Sequence, residues 1–252
     1  MNILIAPNSM KGSLSAFQFA DEVERAFNDV APSVFKIRKM PVADGGDETV
    51  HVLMNALGLD EQEVLVTDPL GRPILAKYGY AGGIAVIEMA NASGLKLLSL
   101  DELNPMKTSS FGTGEVILDA IAKGTKKIFV GIGGSATVDG RMGMSEALGI
   151  QFLDNTNNLL KGNGANLGEI ARIEIKSKLV GSDVEIVVVS DVDNLLLGEA
   201  GAARIFGPQK GATPLMVEQL EKNLTHYAEI IKSVTDKDLP LSKEVEQQGV
   251  FR

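Results

Sequence analysis

Cysteine and tryptophan are both absent from the 252 residues, and histidine occurs only as His51 and His226. Without cysteine there is no disulfide, no thiolate zinc site and no cysteine nucleophile. Two imidazoles exclude a multi-histidine metal centre, so any metal belongs with the hard cations that take oxygen ligands. Basic residues are in the minority, 24 Lys and Arg against 33 Asp and Glu. The net charge of -9 argues against a general nucleic-acid or acidic-membrane surface, which needs clustered cations. It does not forbid a small anion, held by backbone N–H groups and a few basic side chains. No apolar run approaches the roughly 20 residues of a membrane span. Residues 1–7 lack the basic region of a signal peptide and read as a buried strand. The expectation is a soluble cytoplasmic protein whose partners include neither nucleic acid nor membrane.

What is present is the material of a folded core: 44% of residues are hydrophobic and 23% charged. The length favours two domains. Short apolar runs alternate with segments of helical period, the pattern of an α/β protein with a substantially parallel sheet. Residues 3–6 form the first expected strand. Ser15 and Gln18 then make a capping box for a helix ending before Pro32. Residues 34–40 lead into Ala43-Asp44-Gly45-Gly46, and residues 49–57 read as a helix. Three strands over 64–66, 74–80 and 84–89 are separated by turn residues and suggest hairpins, with a second domain beginning near residue 63. Thr113 is the expected cap of a helix closed by Gly124. Residues 128–130 are a strand leading into a glycine-rich segment. Residues 184–189 read as the clearest buried strand, and a last amphipathic helix runs from Pro214 to about Val234.

In open α/β sheets ligands bind beyond the carboxyl ends of the parallel strands. Four segments share that placement: Ser9-Met10-Lys11-Gly12-Ser13, Asp44-Gly45-Gly46, residues 133–140, and Asp191-Val192-Asp193-Asn194. Glycines let backbone donors approach a phosphate, hydroxyls add donors, and the aspartates suit a divalent cation or a substrate hydroxyl. Lys11 and Lys210 supply positive charge. Taken alone, each loop reads as a plain turn, each aspartate as a cap and Lys11 as a surface lysine; four such loops in one chain favour a site for phosphoryl transfer. The rival is a nicotinamide-dependent oxidoreductase. Gly131-Ile132-Gly133-Gly134-Ser135-Ala136 fits the dinucleotide fingerprint, with Asp154 about 20 residues on. Against it, Asp139-Gly140 and Gly143 interrupt the helix that the fingerprint should open. No Gly-Lys-Ser/Thr sequence occurs, which excludes a Walker A loop.

Seven segments, in order, strongly resemble the bacterial glycerate kinase family, the type distinct from P-loop kinases. They are residues 6–14, Pro41-Val42-Ala43-Asp44-Gly45-Gly46, Ile87-Glu88-Met89-Ala90, Gly112-Thr113-Gly114-Glu115, residues 131–137, Asp191-Val192-Asp193-Asn194 and residues 206–212. The resemblance implies phosphorylation of D-glycerate by ATP with Mg²⁺, at the 2-hydroxyl. It implies a Rossmann- or flavodoxin-like domain, here its N-terminal part over 1–62, and a second α/β domain inserted over 63–240. Residues 241–252 are a polar tail outside the family pattern, so the first domain is expected to be incomplete. A truncated, inactive remnant or half of a split enzyme is then the alternative, with a homo-oligomer or a complementing C-terminal fragment as partner.

Carried over by motif, Asp44, Lys11 and Asp191 are the expected catalytic residues. Ser9, Gly133, Gly134, Ser135, Thr137, Asp139, Asn194 and Lys210 are expected to bind substrate or phosphate, and Asp191 and Asp193 to hold the metal. The chain departs from the family at Asn8 for a usual Asp, Asp47-Glu48 for Glu-Gly, Val138 for Asn and Arg141 for Gly.

Overall fold

The computed structural model describes residues 1–10, 13–43, 49–176, 183–190, 192 and 194–235. The first strand, β1 (Asn2–Ile5), runs parallel to β2 (Lys36–Lys39) with Asn2 opposite Lys36, and α1 (Ala16–Val30) makes the crossover. The Ser15 hydroxyl accepts the Gln18 N–H while the Gln18 side chain accepts the Ser15 N–H, the expected reciprocal cap. Ala16 and Ala20 bury one side of α1, but Leu4, Met40 and Val42 stay exposed on this small unit.

A five-stranded sheet dominates the rest. Helix α2 (Thr49–Leu57) precedes β3 (Asp60–Thr67), β4 (Pro73–Ala81) and β5 (Ile84–Glu88), which pair antiparallel as two consecutive hairpins. Gly82 and Gly83 both take positive φ, +56° and +81°, which a two-residue turn of this hand requires at both positions. After α3 (Ala90–Ser93) and α4 (Phe111–Ala122), β6 (Lys127–Gly131) adds parallel to β5. The sheet order is β3-β4-β5-β6-β9, where β9 (Glu185–Val189) is parallel to β6. Alternation along the strands sends Val66, Ala76, Tyr78, Ala85, Ile87, Ile128 and Val130 to one face, under Val116, Ile117 and Ala120 of α4. The N–H groups of Gly124 and Thr125 close α4 on the carbonyls of Ile121 and Ala120.

The other face meets α2, where Val50 and Leu59 pack on Val86, with Leu53, Met54 and Phe129 alongside. This side is thinly covered: Leu65 and Leu75, opposite each other in register, are 68% and 65% exposed. A second core is built from the segments that follow β6. It joins α5 (Met142–Ala147), the antiparallel pair β7 (Ile150–Leu153) and β8 (Arg172–Ile175), α6 (Ala202–Phe206) and α7 (Pro214–Thr235). Phe152, Leu220, Leu224, Tyr227 and Ile231 are buried there, the Phe152 and Tyr227 rings meeting edge-on at 6.1 Å.

Three details differ from the sequence reading. The five-stranded sheet already begins at Asp60, and the helix before it packs on that sheet, so the expected boundary at 63 falls inside β3. Thr113 is not the cap of α4 but sits in its first turn, buried, with its hydroxyl 2.8 Å from that of Ser93. β9, for all its apolar sequence, buries none of its residues completely, because it is the outer strand of this sheet. Residues 236–252, including the expected tail, lie outside the described residues.

Candidate active site

The three parallel strands end in one row: Glu88 of β5 is paired with Gly131 of β6, and Gly131 with Val189 of β9. Adjacent strands lie about 4.8 Å apart, so the segments leaving them start as neighbours. The glycine-rich loop after β6 is stitched down on both sides. Met89 N–H bonds the Gly131 carbonyl at 2.8 Å, Leu95 N–H the Gly134 carbonyl at 2.9 Å, and Ala136 N–H the Ser93 carbonyl at 2.8 Å. On the far side Ile132 N–H reaches the Val189 carbonyl. Gly134 is exposed and Gly133 and Ser135 are half-buried, whereas Thr137 and Asp139 are buried.

Lys210 supports this loop from below. Only 7% exposed, its Nζ donates to the Ser135 hydroxyl at 2.9 Å and to the Thr137 carbonyl at 2.6 Å. Burial pushes its ammonium down from 10.5 to about 8, with the Asp139 charge pulling the other way. The arrangement places a buried positive charge beneath the loop that leaves the carboxyl end of β6.

Asp139 is engaged by donors of the protein itself. Its carboxylate, 2% exposed, accepts the Ser110 N–H at 2.8 Å, the Ser110 hydroxyl at 2.6 Å, the Arg141 N–H at 3.2 Å and the Gly143 N–H at 3.3 Å. It joins the end of the glycine-rich loop to the starts of α4 and α5. Arg141 then takes a left-handed φ of +65° just before α5. Since α5 opens only at Met142, the dinucleotide fingerprint does not lead into a helix N-terminus as that reading needs. Asp154 is occupied by its own turn, accepting from Thr156 and Asn158, which holds its carboxyl at about 2.

Of the other expected residues, Ser9 donates its N–H to Asn8 Oδ1 at 2.7 Å, and Asn194 turns its Nδ2 to the Ala200 carbonyl at 3.0 Å, within its own loop. Lys11, Asp44, Asp191 and Asp193 lie outside the described residues. An open cleft of about 1050 Å³ lies beside Glu88, at the end of β5. Met10, Ser13 and Leu14 line it from the β1–β2 unit; Val50, His51, Glu88, Asn91 and Lys96 line it from the other. His51 is exposed, with its ring 4.6 Å from that of Phe17 on α1. Glu88 was placed in a motif without a role; a carboxylate closing a buried apolar run was the available signal. Asn91 and Lys96, in short irregular segments, carried none.

The description "Glycerate kinase family" matches residues 3–249. This chain belongs to the glycerate kinase family. It is 44% identical over 248 residues to the glycerate 2-kinase of Escherichia coli K12, covering 95% of this chain and 64% of that protein. It is 46% identical over 235 residues to the glycerate kinase of Bacillus subtilis 168, covering 91% and 61%. A crystal structure assigned as glycerate kinase 2 from Salmonella typhimurium LT2 superimposes with a TM-score of 0.86 at 41% identity, over 100% of this chain and 66% of that one. The chain therefore spans about three fifths of the length of the curated relatives it matches, and the family match runs into residues 241–249.

Within the glycerate kinase pattern the structure separates packing motifs from site motifs. In Gly112-Thr113-Gly114-Glu115, a Cβ on Gly112 would collide with the Thr67 carbonyl oxygen, and Glu115 accepts both the N–H and the hydroxyl of Thr67, at 2.7 and 2.8 Å. That motif clamps α4 to the end of β3. Residues 131–137 and Lys210, by contrast, assemble at the open edge.

Proposed function

We propose that this protein transfers the γ-phosphoryl group of ATP to the 2-hydroxyl of D-glycerate, giving 2-phosphoglycerate and ADP. The observation that carries the reading is Lys210 beneath the 133–137 loop at the parallel-strand edge, in a chain of the glycerate kinase family. Phosphate oxygens seated on that loop would meet backbone donors with a buried ammonium behind them. The glycerate oxygen attacks the γ-phosphorus, the bond to the β–γ bridging oxygen breaks, and ADP leaves with the electron pair. Asp44 takes the hydroxyl proton, and Lys11 neutralises charge on the substrate or the transferring group.

Asp191 and Asp193 follow β9 in sequence and offer the oxygen donors that Mg²⁺ takes. Among the described residues no cluster of three or more His, Asp or Glu side chains could hold a metal. Mg²⁺ bound there would supply neutralising charge for the nucleotide phosphates. The reading carries with it a cytoplasmic location and glycerate as the small-molecule partner. Self-association or a complementing C-terminal fragment would cover the exposed Leu4 and Met40 of the β1–β2 unit. Among the described residues no helix is long and apolar enough to cross a membrane.

The test is ATP- and Mg²⁺-dependent phosphorylation of D-glycerate by the purified chain, with folding checked by circular dichroism and the product's phosphate position by NMR. Turnover to 2-phosphoglycerate is expected. A folded chain without turnover refutes the reading for this chain and leaves a non-catalytic family member. Tight NAD(H) binding with no response to ATP would point to the oxidoreductase instead.

A further inference from the structure

One segment of chain borders both the glycine-rich loop and the open cleft. Within residues 88–97, Met89 N–H bonds the Gly131 carbonyl, Leu95 N–H bonds the Gly134 carbonyl at 2.9 Å, and the Ser93 carbonyl accepts the Ala136 N–H. Between these contacts stand Glu88, Ala90, Asn91, Lys96 and Leu97, which line the cleft. Lys96 follows Leu95 directly, so its Cα stands about 3.8 Å from that of the residue that holds Gly134. Lys96 is exposed and Glu88 half-buried. Glu88 closes β5, and its place is fixed, since its Oε1 accepts the Val50 N–H at 2.7 Å. Asn91 turns its Nδ2 to the Lys77 carbonyl at 3.0 Å. Lys77, the other lysine that lines the cleft, stands on β4 and not on this segment.

An ammonium only donates hydrogen bonds and a carboxylate only accepts them, so the pair suits a ligand that carries both an anion and a hydroxyl. A small hydroxy acid has that pattern. Glycerate has its carboxylate at one end, its 3-hydroxyl at the other, and the 2-hydroxyl on the carbon between. We propose that the 88–97 end of the cleft is the subsite for the acceptor acid, with Lys96 Nζ donating to the carboxylate and the Glu88 carboxylate accepting the 3-hydroxyl. Held at both ends, the acid leaves its 2-hydroxyl for the phosphoryl group on the loop that the same segment carries. The carboxylate carbon is bonded directly to the carbon bearing that hydroxyl, so its cation must stand close to the loop, as the place of Lys96 beside Leu95 provides. A neutral polyol would leave Lys96 unmatched, and a dicarboxylate would set its second charge against Glu88. The identity of the acid rests on the phosphoryl-transfer reading; the charge pattern of the subsite does not.

Calorimetry on the full chain tests the subsite, with Mg²⁺ and an ATP analogue that cannot transfer its phosphoryl group present. D-glycerate is compared with D-lactate, which keeps the carboxylate and the 2-hydroxyl but lacks the 3-hydroxyl. Wild type should prefer D-glycerate by about tenfold or more, the worth of a hydrogen bond to a charged group. Lys96→Gln should weaken both acids by about tenfold or more while the preference and the affinity for the analogue hold, and Lys96→Arg should restore most of the loss. Glu88→Ala should bring the two acids within about twofold of each other, because only D-glycerate loses a contact. If Glu88 only braced α2, both acids would weaken together, so an unchanged preference in Glu88→Ala overturns its contact with the substrate. Unchanged D-glycerate affinity in Lys96→Gln overturns the subsite, and turnover by wild type would then leave the kinase reading standing. The expected pattern in a chain without turnover supports the subsite while phosphoryl transfer by this chain fails. No binding of D-glycerate to folded wild type overturns the subsite outright.

Discussion

Replacing Lys210 by Met tests the buried charge beneath the glycine-rich loop through stability, without needing a substrate. The methionine keeps most of the side-chain length but removes the charge and the donors to the Ser135 hydroxyl and the Thr137 carbonyl. In the native state burial lowers the ammonium from 10.5 to about 8. The sign follows from proton counting. Below pH 8 the lysine is charged in both states, and the cost of burying that charge is fully present. Between pH 8 and 10.5 the native lysine has lost its proton while the unfolded one keeps it. Unfolding then takes up a proton, so native stability rises with pH across that window. At 1.36 kcal/mol per pKa unit, integration from pH 7.5 to 9.5 gives a gain of about 2 kcal/mol.

The assay is urea unfolding of wild type and Lys210→Met at half-unit steps over that range. The buried phenols of Tyr78, pushed up to about 12, and Tyr227, pushed higher, would pull stability the other way above pH 10. They are common to both proteins and cancel in the difference. At pH 7.5 the variant should lie within about 2 kcal/mol of wild type, because the lost charge-assisted bonds are offset by the relieved desolvation. The difference should then move in favour of wild type by about 2 kcal/mol at pH 9.5. Parallel curves would show that Lys210 is not buried as a charge beneath the loop, and the proposed phosphate seat would fall with it.

Two further predictions concern the ends of the same loop. Asp139→Ala strands four donors, those of Ser110, Arg141 and Gly143, and should cost about 3 kcal/mol or more in urea unfolding; a loss under 1 kcal/mol would show that the loop is held by other contacts. Arg141→Gly removes a side chain from a backbone at φ +65° and should stabilise by about 1 kcal/mol in thermal unfolding; a loss would mean that the Arg141 side chain returns more than its backbone strain costs.

Local signals in the sequence located most elements because each had a physical marker. Ser15 and Gln18 begin α1, Gly82-Gly83 turn the hairpin, and Gly124 ends α4. What stayed hidden was tertiary. The burial of β9 depends on its place in the strand order, which its own residues do not state. Glycine-rich loops and aspartates have one composition whether they bind or brace. Asp139 and Glu115 both brace, which only their partners across 29 and 48 residues reveal. Lys210 was selected by motif, and no pattern in residues 206–212 announces that its ammonium is buried 75 residues away from its partner Ser135.

Which unit carries which residue has a kinetic consequence. Glu88, Gly131 and Val189 end one row of a single sheet, so the α2 start, the glycine-rich loop and the Asp191 segment all leave the same framework. Lys11 follows Met10, which lines the cleft from the β1–β2 unit. In sequence Lys11 therefore belongs with the β1–β2 unit, whereas the glycine-rich loop leaves β6 of the five-stranded sheet. If the proposed role of Lys11 on the transferring group holds, Lys11→Ala should bind ATP within about threefold of wild type while kcat falls by about 10²-fold or more. Titrating nucleotide by calorimetry beside steady-state kinetics separates the two quantities. An ATP affinity that collapses together with kcat would place Lys11 on the bound nucleotide, and its proposed role on the transferring group would be wrong.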